Sequence, residues 1–596
     1  MDRRQIEADF RHQCRSTMVT FRNHGPNVTL YLENFAHSEP VPSGRAEMKQ
    51  FMPFPDSNRA PLAGQHFQVA VIGGGIMGVA IARECARAGK RTLLVEQHDF
   101  AAGTTSRSSR MLSGLRALEK GDISFARESL RERERLLRDR PHLAHPAHFL
   151  LALNNQGKRS AMSVRTALWV YRRMAGRNVD AAGFEMARKK LERALDAGQR
   201  WSIFDYEDAQ CEFPERLVAE WLVEAIAAGA VVRNHTQVMA VDVAHGRARG
   251  LLVRDWTRNL EEKIEATWIV NATGPWVDRT CGRSGIKMRR PMVSGVRGSH
   301  IVLSHFPGAP STALYTEGAD GRPLYIIPWN EQLLVGATHV PDTSDPGKVH
   351  PASDEIESLL HSLASLFPKA RISQNDIRYS FAGIRNLPFD PSGDPGTVSR
   401  QHSIHDHQQE NVARLISVIG GNLATAISVA RDCVRMIGIR PAEPKPLAVA
   451  DGPALDPLLD HFVVDVSRAA SISEEASRAI VEWHGKRSME IAGMAQSSAE
   501  LRTTLCPHSE HIVAEAVEAY RNECAVTLGD VLLRRVPVAL GPCWSETCSR
   551  EAALRIGAVM GWNEETTGAN LEALEMERAA YLRRPRTSMR LATAAD

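Results

Sequence analysis

Residues 68–96 read QVAVIGGGIMGVAIARECARAGKRTLLVE, and this stretch decides the fold. A short apolar run from Gln68 to Ile72 enters GGGIMG, the next eleven residues carry apolar side chains at helical spacing, and RTLLVE is a second apolar run. Strand, glycine turn, helix and strand form one βαβ unit. Gly73, Gly75 and Gly78 fill G-x-G-x-x-G between the strand and the helix. Glycines there permit a tight turn and close backbone approach to a pyrophosphate, while the helix N-terminus offers N–H groups and the positive end of a dipole. Glu96 closes the second strand, where a carboxylate accepts hydrogen bonds from ribose hydroxyls. All five features agree on dinucleotide binding.

Upstream, residues 1–65 show no sustained period and are punctuated by Pro26, Pro40, Pro42, Pro53, Pro55 and Pro61, so an irregular extension is expected. Downstream, a charged helix is predicted from about Asp122 to Arg138, and helical stretches rich in Arg and Lys from Ser163 to Ala197. WIVNATG reads as a strand, and HIVLS, PLYIIPW and QLLVGAT read as a mostly antiparallel sheet over a substrate. RLISVIGG returns the chain to a buried strand and a glycine turn before the helix ATAISVARDCVRMIG. After the proline-rich PAEPKPLAVADGP, helical pattern such as ISEEASRAIVEWHG and HIVAEAVEAYRNECA fills the rest and is assigned to a separate helical domain.

Composition narrows the function classes. At 596 residues the chain exceeds a single core. With 73 basic against 70 acidic residues the net charge is only +3, which gives no pull towards nucleic acid. No run of about 18 uncharged apolar residues occurs. Asp2, Glu7 and Asp9 among the N-terminal arginines argue against a secretory or transit leader. The nine cysteines run from Cys14 to Cys548, and the closest pair, Cys543 and Cys548, lacks the C-x₂-C spacing of zinc hairpins. They are read as reduced thiols in a cytoplasmic setting, with no metal site.

Six further segments carry a family resemblance: GTTSRSSRMLSGLRALE, RERERLLRDRPHLAHP, IVNATGPWVD, GSHIVL, IPWNEQLLVGAT and FAGIRNL. Together with the fingerprint they resemble the FAD-dependent glycerol-3-phosphate dehydrogenases, of the aerobic, quinone-linked type. The resemblance extends from about Phe67 to Trp562 and includes DVLLRR and the later GW of the helical tail. It implies an α/β fold: a Rossmann-like FAD-binding domain, an antiparallel-sheet substrate domain and a C-terminal helical domain. The oxidoreductase spans 66–445, with FAD-binding parts at about 66–150, 205–285 and 375–440 and substrate-covering parts at about 151–204 and 286–374. The helical domain spans 455–585.

The resemblance also implies site roles. Thr105, Ser106, Ala272, Gly274 and Gly421 would line FAD beside Gly73, Gly75, Gly78 and Glu96. Arg116 and Arg385 would bind the anionic group of a small substrate, which suits arginine's planar fork, and His300 would sit on the substrate side of the flavin. Hydride would pass to the flavin, a base would take the hydroxyl proton, and a quinone would reoxidise the cofactor. Peripheral contact with the inner face of the membrane and a homodimer are further expectations of this type.

Departures from the family's pattern bear on the substrate. Where relatives have HGGLRYL, this chain has Ser113 to Ala117, one residue shorter, without the histidine and tyrosine. Where they have GGKLTTYR it has GGNLATAI, so Asn422 replaces a lysine, Ala424 a threonine, Ala426 a tyrosine and Ile427 an arginine. In the GTTD stretch the aspartate is His339. Two lost cations beside a phosphate, at about 1.5 to 3 kcal/mol each, weaken binding by roughly two to four powers of ten. An altered anionic alcohol is therefore expected as readily as glycerol 3-phosphate itself. The alternatives are an amine or amino-acid oxidase of the same superfamily, and a flavin-binding protein without catalysis.

Two signals are set aside. His142, His145 and His148 recur every third residue, but Pro141 and Pro146 break any helix that would align them, so loop packing is expected. SVRTALWVYRRMAGR is a basic amphipathic helix that can lie on an anionic membrane, and more commonly packs on its own domain.

Overall fold

The computed structural model describes residues 19–20, 29–30, 60–154, 159–175, 181–391, 401–442 and 455–583. Residues 1–49 form one unit, in which Val19–Thr20 pairs antiparallel with Thr29–Leu30. The remainder of the chain forms a second unit. Cys14 and most of the proline-rich 441–453 stretch lie outside the described residues.

The fingerprint folds as its pattern requires. Strand β1 (His66–Ile72) leads through the glycine turn to helix α1 (Ile76–Arg87) and strand β2 (Thr92–Val95). The charged helix α2 (Ile123–Asp139) starts at Asp122, whose carboxylate accepts from the Phe125 N–H at 3.0 Å, a side-chain cap. Strand β3 (Ala144–Asn154) and helix α3 (Ala161–Ala175) follow. Next come strand β4 (Trp201–Cys211), helix α4 (Pro214–Ala227), strand β5 (Val231–Arg233) and the ribbon β6 (Thr236–Ala244), β7 (Arg247–Asp255). Strand β8 (Leu260–Asn271) contains WIVN.

Strands β9 (Val293–Leu303), β10 (Ala313–Glu317), β11 (Pro323–Trp329), β12 (Gln332–Gly336), β13 (Val340–Pro341) and β14 (Ile377–Pro388) make the expected antiparallel region. Strands β15 (Ser403–Asp406) and β16 (Leu415–Ile419) then lead to helix α5 (Ala426–Met436).

Among the described residues two sheets result. The first has the order β15-β16-β8-β1-β2-β5, with β6 and β7 continuing from β8. Its centre is parallel: Ile72 pairs with Val95 and with Asn271, and Asn271 with Ser417. The carboxyl ends of β1, β2, β8 and β16 therefore lie side by side, and Gly73, Glu96, Ala272 and Gly420 follow directly from them. In open α/β sheets that edge is the ligand crevice. Helices α1, α4 and α5 bury their apolar faces with these strands in one cluster that includes Val79, Leu94, Leu222 and Val429.

The second sheet has the order β13-β9-β12-β11-β10-β3-β4, with β14 also paired to β9. Its pairs are antiparallel except β10 with β3. Of the histidine stretch expected to be a packing loop, His142 lies in a turn and His145 and His148 lie at the start of β3. Pro146 falls where β3 pairs only with β4, before β10 joins at Phe149, so its missing N–H costs no ladder bond on the free side.

The C-terminal region is helical, as its pattern requires. Its principal helices are α6 (Leu455–Ala470), α7 (Glu474–His484), α8 (Ser488–Gln496), α9 (Val513–Asn522), α10 (Glu546–Met560) and α11 (Glu564–Tyr581). No helix among the described residues is long and apolar enough to cross a membrane.

Candidate functional site

The glycine turn sits under β2. The Gly73 N–H donates to Val95 O at 2.8 Å, and Gly73 adopts φ +105°, a conformation reserved for glycine. A Cβ on Gly78 would fall 1.7 Å from Gly73 O, so close helix–strand packing demands glycine there. Gly75 differs. A Cβ on it would meet only Thr105 Oγ1, at 3.4 Å, so no protein atom forbids a side chain at this position. The cradle is open towards a ligand, and Gly75 caps α1 without a side-chain acceptor. An anionic group fits there, against first-turn N–H donors of which Thr105 takes up only that of Ile76.

Glu96 faces the same turn. Its two carboxylate oxygens accept from the Gly74 N–H at 2.6 Å and the His98 N–H at 2.9 Å, and burial pushes the carboxyl up against those donors. A carboxylate so held keeps lone pairs for ribose hydroxyls. Thr105 Oγ1 accepts from the Ile76 N–H at 3.1 Å, which ties the 101–110 loop to the helix start. Ser106 donates to Ala101 O at 2.6 Å, so its hydroxyl shapes the loop from within. Ala272 donates its N–H to Ile72 O, and Gly274 and Gly421 adopt positive φ of +61° and +79° in the turns after β8 and β16. The residues assigned to FAD from the sequence thus lie at one sheet edge, Gly78 in the first turn of α1 and the others in the turns and loop beside it.

Two of the three residues assigned to the substrate, His300 and Arg385, lie on the second sheet. Strand β9 pairs with β14 so that Val296 faces Arg385 and His300 faces Phe381. Residues directly opposite share a face, as do alternate residues along a strand, so His300 and Arg385 project from the same side. Two glycines give them room. A Cβ on Gly298 would lie 2.5 Å from Arg385 Nη2, and one on Gly336 would lie 2.5 Å from His300 Cδ2. Both terminal nitrogens of Arg385 donate to Thr338 O at 3.1 Å. Thr338 is itself fixed, accepting from the Ser299 N–H at 2.8 Å and donating to Glu355 at 2.5 Å.

His300 is 3% exposed, stacks on Phe381 at 5.0 Å, and places Nε2 3.0 Å from Ser109 Oγ; its buried Nδ1 makes no hydrogen bond. Burial, with the charges of Arg385 and Arg110 added, lowers its pKa to about 3. The imidazole is neutral at physiological pH. Arg116 comes from the short helical turn Leu115–Glu119, and its Nη1 lies 3.2 Å from His339 Nε2. A guanidinium has no acceptor, so His339 accepts through Nε2. The fold therefore joins Arg116, His339, Thr338 and Arg385 into one continuous string, with His300 alongside.

Of the positions that depart from the family's pattern, His339 lies in this string and the others fall outside it. Asn422 and Thr425 cap each other: Asn422 Oδ1 accepts the Thr425 N–H at 2.9 Å, and Thr425 Oγ1 accepts the Asn422 N–H at 3.1 Å. Ile427, read from the sequence as a cation lost from beside the anion, is 7% exposed within the apolar cluster of α1, α4 and α5. It is a core residue, because the first turn of α5 packs inward. Ala117 is buried with Phe125 and Ala126.

Sequence reading missed the link between the helical tail and the turn after β2. Asp99, three residues after Glu96, accepts from Arg535 at 2.7 and 2.8 Å and from Arg534 at 2.5 Å. Those arginines end DVLLRR, and Asp530 of the same motif bonds His235 at 2.9 Å. Tyr581 donates to Ser106 O at 2.7 Å. DVLLRR carried the signal, since a pair of arginines in an apolar run requires buried carboxylates. Of the histidines set aside, His142 lies 2.5 Å from Glu220. Helix α3 packs inward through Val164, Leu168 and Tyr171, whose hydroxyl bonds Asp208 at 3.1 Å.

A family profile described as FAD dependent oxidoreductase matches residues 68–414, and one described as the C-terminal domain of alpha-glycerophosphate oxidase matches 451–567. The chain is 32% identical over 497 residues to a glycerol-3-phosphate dehydrogenase of Synechocystis sp., covering 80% of this chain and 89% of the relative. It is 29% identical over 504 residues to an aerobic glycerol-3-phosphate dehydrogenase of Staphylococcus saprophyticus, covering 80% and 87%. Among solved structures, the glycerol-3-phosphate dehydrogenase of Bacillus halodurans complexed with FAD is similar with a TM-score of 0.67 at 21% identity, covering 87% of this chain and 96% of that one.

Proposed function

The chain belongs to the FAD-dependent oxidoreductases, and from that premise we propose that it is a dehydrogenase of the glycerol-3-phosphate type, oxidising glycerol 3-phosphate or a related small anionic alcohol. The observation that carries the substrate class is a neutral imidazole and a guanidinium on one face of β9 and β14, His300 beside Arg385.

FAD bound along the glycine edge supplies the two-electron acceptor for a hydride. The chain's residues handle the rest. Arg385 and Arg116 hold the substrate's anionic group, and a bidentate pair with either fixes the position of the reacting carbon. His339 supports this assignment: a histidine partner, unlike a carboxylate, leaves the positive charge of Arg116 available. His300, kept unprotonated by its surroundings, takes the hydroxyl proton as the hydride leaves, with Ser109 at Nε2 orienting the ring. Phe381 stacked on His300 and Tyr581 at 5.9 Å from Phe381 shield that face from water.

Gly73, Gly75, Gly78, Glu96, Thr105, Ser106, Ala272, Gly274 and Gly421 as the FAD contacts belong to the same reading, as does the division at 1–65, 66–445 and 455–585. A quinone acceptor, a homodimer and a cytoplasmic chain touching the inner membrane face complete it. Support for membrane contact is α3, where Met162 and Trp169 are 67% and 63% exposed beside Arg165, Arg172 and Arg173. The test is anaerobic stopped-flow mixing of the yellow holoprotein with glycerol 3-phosphate, its non-phosphorylated and carboxylate analogues, and glycine. Rapid flavin bleaching by an anionic alcohol supports the reading; bleaching by the amino acid alone defeats it.

A further inference from the structure

Four soft side chains converge in the C-terminal region, away from the residues assigned to catalysis. The ligand atoms of Cys506, His508, Cys543 and Cys548 all lie within 4.8 Å of one another. Cys506 and His508 come from the loop before α9, Cys543 from the loop before α10, and Cys548 from the first turn of α10. Cys548 Sγ is 3.9 Å from His508 Nδ1. A zinc ion bound by sulfur at about 2.3 Å sets ligand atoms about 3.8 Å apart at tetrahedral corners. The four need close by about 1 Å or less to reach that geometry. Three thiolates and one imidazole around a single point are the donor set of structural zinc.

The other clusters of this kind among the described residues have stronger partners. Asp99, His235 and Asp530 meet Arg534 and Arg535, whose guanidinium groups occupy the role a cation would play. His405 bonds Glu410 at 2.8 Å, and His407 bonds Ser417 through Nε2 at 2.7 Å, which leaves Nδ1 as its one nitrogen without a hydrogen bond. The thiols of the C-terminal cluster have weaker company: Ser545 Oγ at 3.4 Å from Cys548 and the Cys543 carbonyl at 3.5 Å. The surroundings also suit the net negative charge of three thiolates around one dication, because Cys548 sits at the N-terminal, positive end of the fifteen-residue helix α10.

We propose that Cys506, His508, Cys543 and Cys548 bind one structural zinc ion, which joins the loop before α9 to the loop before α10. Binding displaces the three thiol protons and changes no oxidation state. The site has a mechanical consequence. The loop that ends at Cys543 docks on the substrate sheet, where Leu540 O accepts from Tyr379 at 2.8 Å and from Gln332 at 2.9 Å, and Pro542 O accepts from Arg378. Zinc would hold that loop against β12 and β14 from outside the sheet.

The experiment is metal analysis of the full-length holoprotein grown with zinc and purified without chelator. About one zinc per chain is expected, released by a mercurial thiol reagent in step with titration of three thiols. Cys506→Ser and Cys548→Ser should each lose the metal and unfold at lower temperature. Because either variant could fail to fold, the parent is also stripped with chelator and refilled with Co(II). Thiolate-to-cobalt charge transfer and intense tetrahedral bands to the red of the flavin are then expected. Zinc at background in the parent, zinc unchanged in folded Cys506→Ser and Cys548→Ser, octahedral cobalt spectra, or a disulfide within the cluster in the isolated protein would each overturn the proposal.

Discussion

Gly75→Ala separates cofactor binding from folding, because the structure gives the two glycines flanking the turn different reasons to exist. A Cβ on Gly78 would fall 1.7 Å from Gly73 O, so Gly78→Ala must force the turn apart whether or not a ligand is present. A Cβ on Gly75 meets Thr105 Oγ1 at 3.4 Å, an ordinary contact, so Gly75→Ala should fold normally without FAD. The added methyl then occupies the approach of the pyrophosphate. Losing two charge-assisted bonds to backbone N–H groups, at about 1.5 to 3 kcal/mol each, removes about 3 to 6 kcal/mol. At about 1.4 kcal/mol per decade that raises the FAD Kd by roughly two to four powers of ten. Flavin fluorescence quenching on titration into apoprotein measures it, with apoprotein melting temperature as the control. An unchanged Kd for Gly75→Ala, or an apoprotein as destabilised as Gly78→Ala, would refute the reasoning.

Arg385→Lys keeps charge but loses the fork that both Thr338 O and an anion use, so KM should rise and flavin reduction slow by about tenfold or more, with FAD content unchanged; parental kinetics in Arg385→Ala would place the anion elsewhere. His300 has its pKa lowered to about 3 by burial and then by Arg385 and Arg110, so the acid limb of kcat/KM in the free enzyme should lie well below the ordinary histidine value near 6.5, and Arg385→Ala should move it upward. In stability terms the unfolded chain takes up that proton first, so stability falls as pH drops from about 6.5 towards 3; His300→Gln should flatten this part of the profile in denaturant titrations. Asp99→Ala strands Arg535 in the interior and should cost about 3 to 5 kcal/mol, read as a lower melting temperature with partial loss of FAD.

How much of this was legible in the sequence depends on how local each constraint is. Gly78 and Glu96 answer to neighbours within or beside one βαβ unit, so spacing alone locates them, whereas Gly73 also meets Ala272 at the end of β8. His300 and Arg385 needed the resemblance, because only the pairing of β9 with β14 puts them on one face. Ile427 shows the limit of carrying positions over: the aligned arginine was counted as a lost anion binder, yet the helix phase of α5 turns Ile427 into the core. Pro146 misled in the opposite direction, since a proline that excludes a helix does not exclude a strand with one unpaired side. The nearest cysteine pair, Cys543 and Cys548, lacks zinc-hairpin spacing, and no spacing rule brings Cys506 and His508 to them from a separate loop.

The dependence of the turn after β2 on the helical tail follows from electrostatics. Asp99 lies on the turn that Glu96 begins, and it is buried. An isolated buried carboxylate is untenable, so this turn can hold its shape only if cations reach it. The cations come from Arg534 and Arg535, whose own burial requires Asp99, Asp530 and Glu577 in return. Arg216 does the same for helix α4, bonding Glu523 at 2.7 Å and the Arg535 carbonyl at 2.7 Å. Neither half satisfies its charges alone. The C-terminal helices are therefore part of the structure that shapes the turn after β2, and cleaving them away should release FAD even though no residue beyond Gly421 is assigned to contact it.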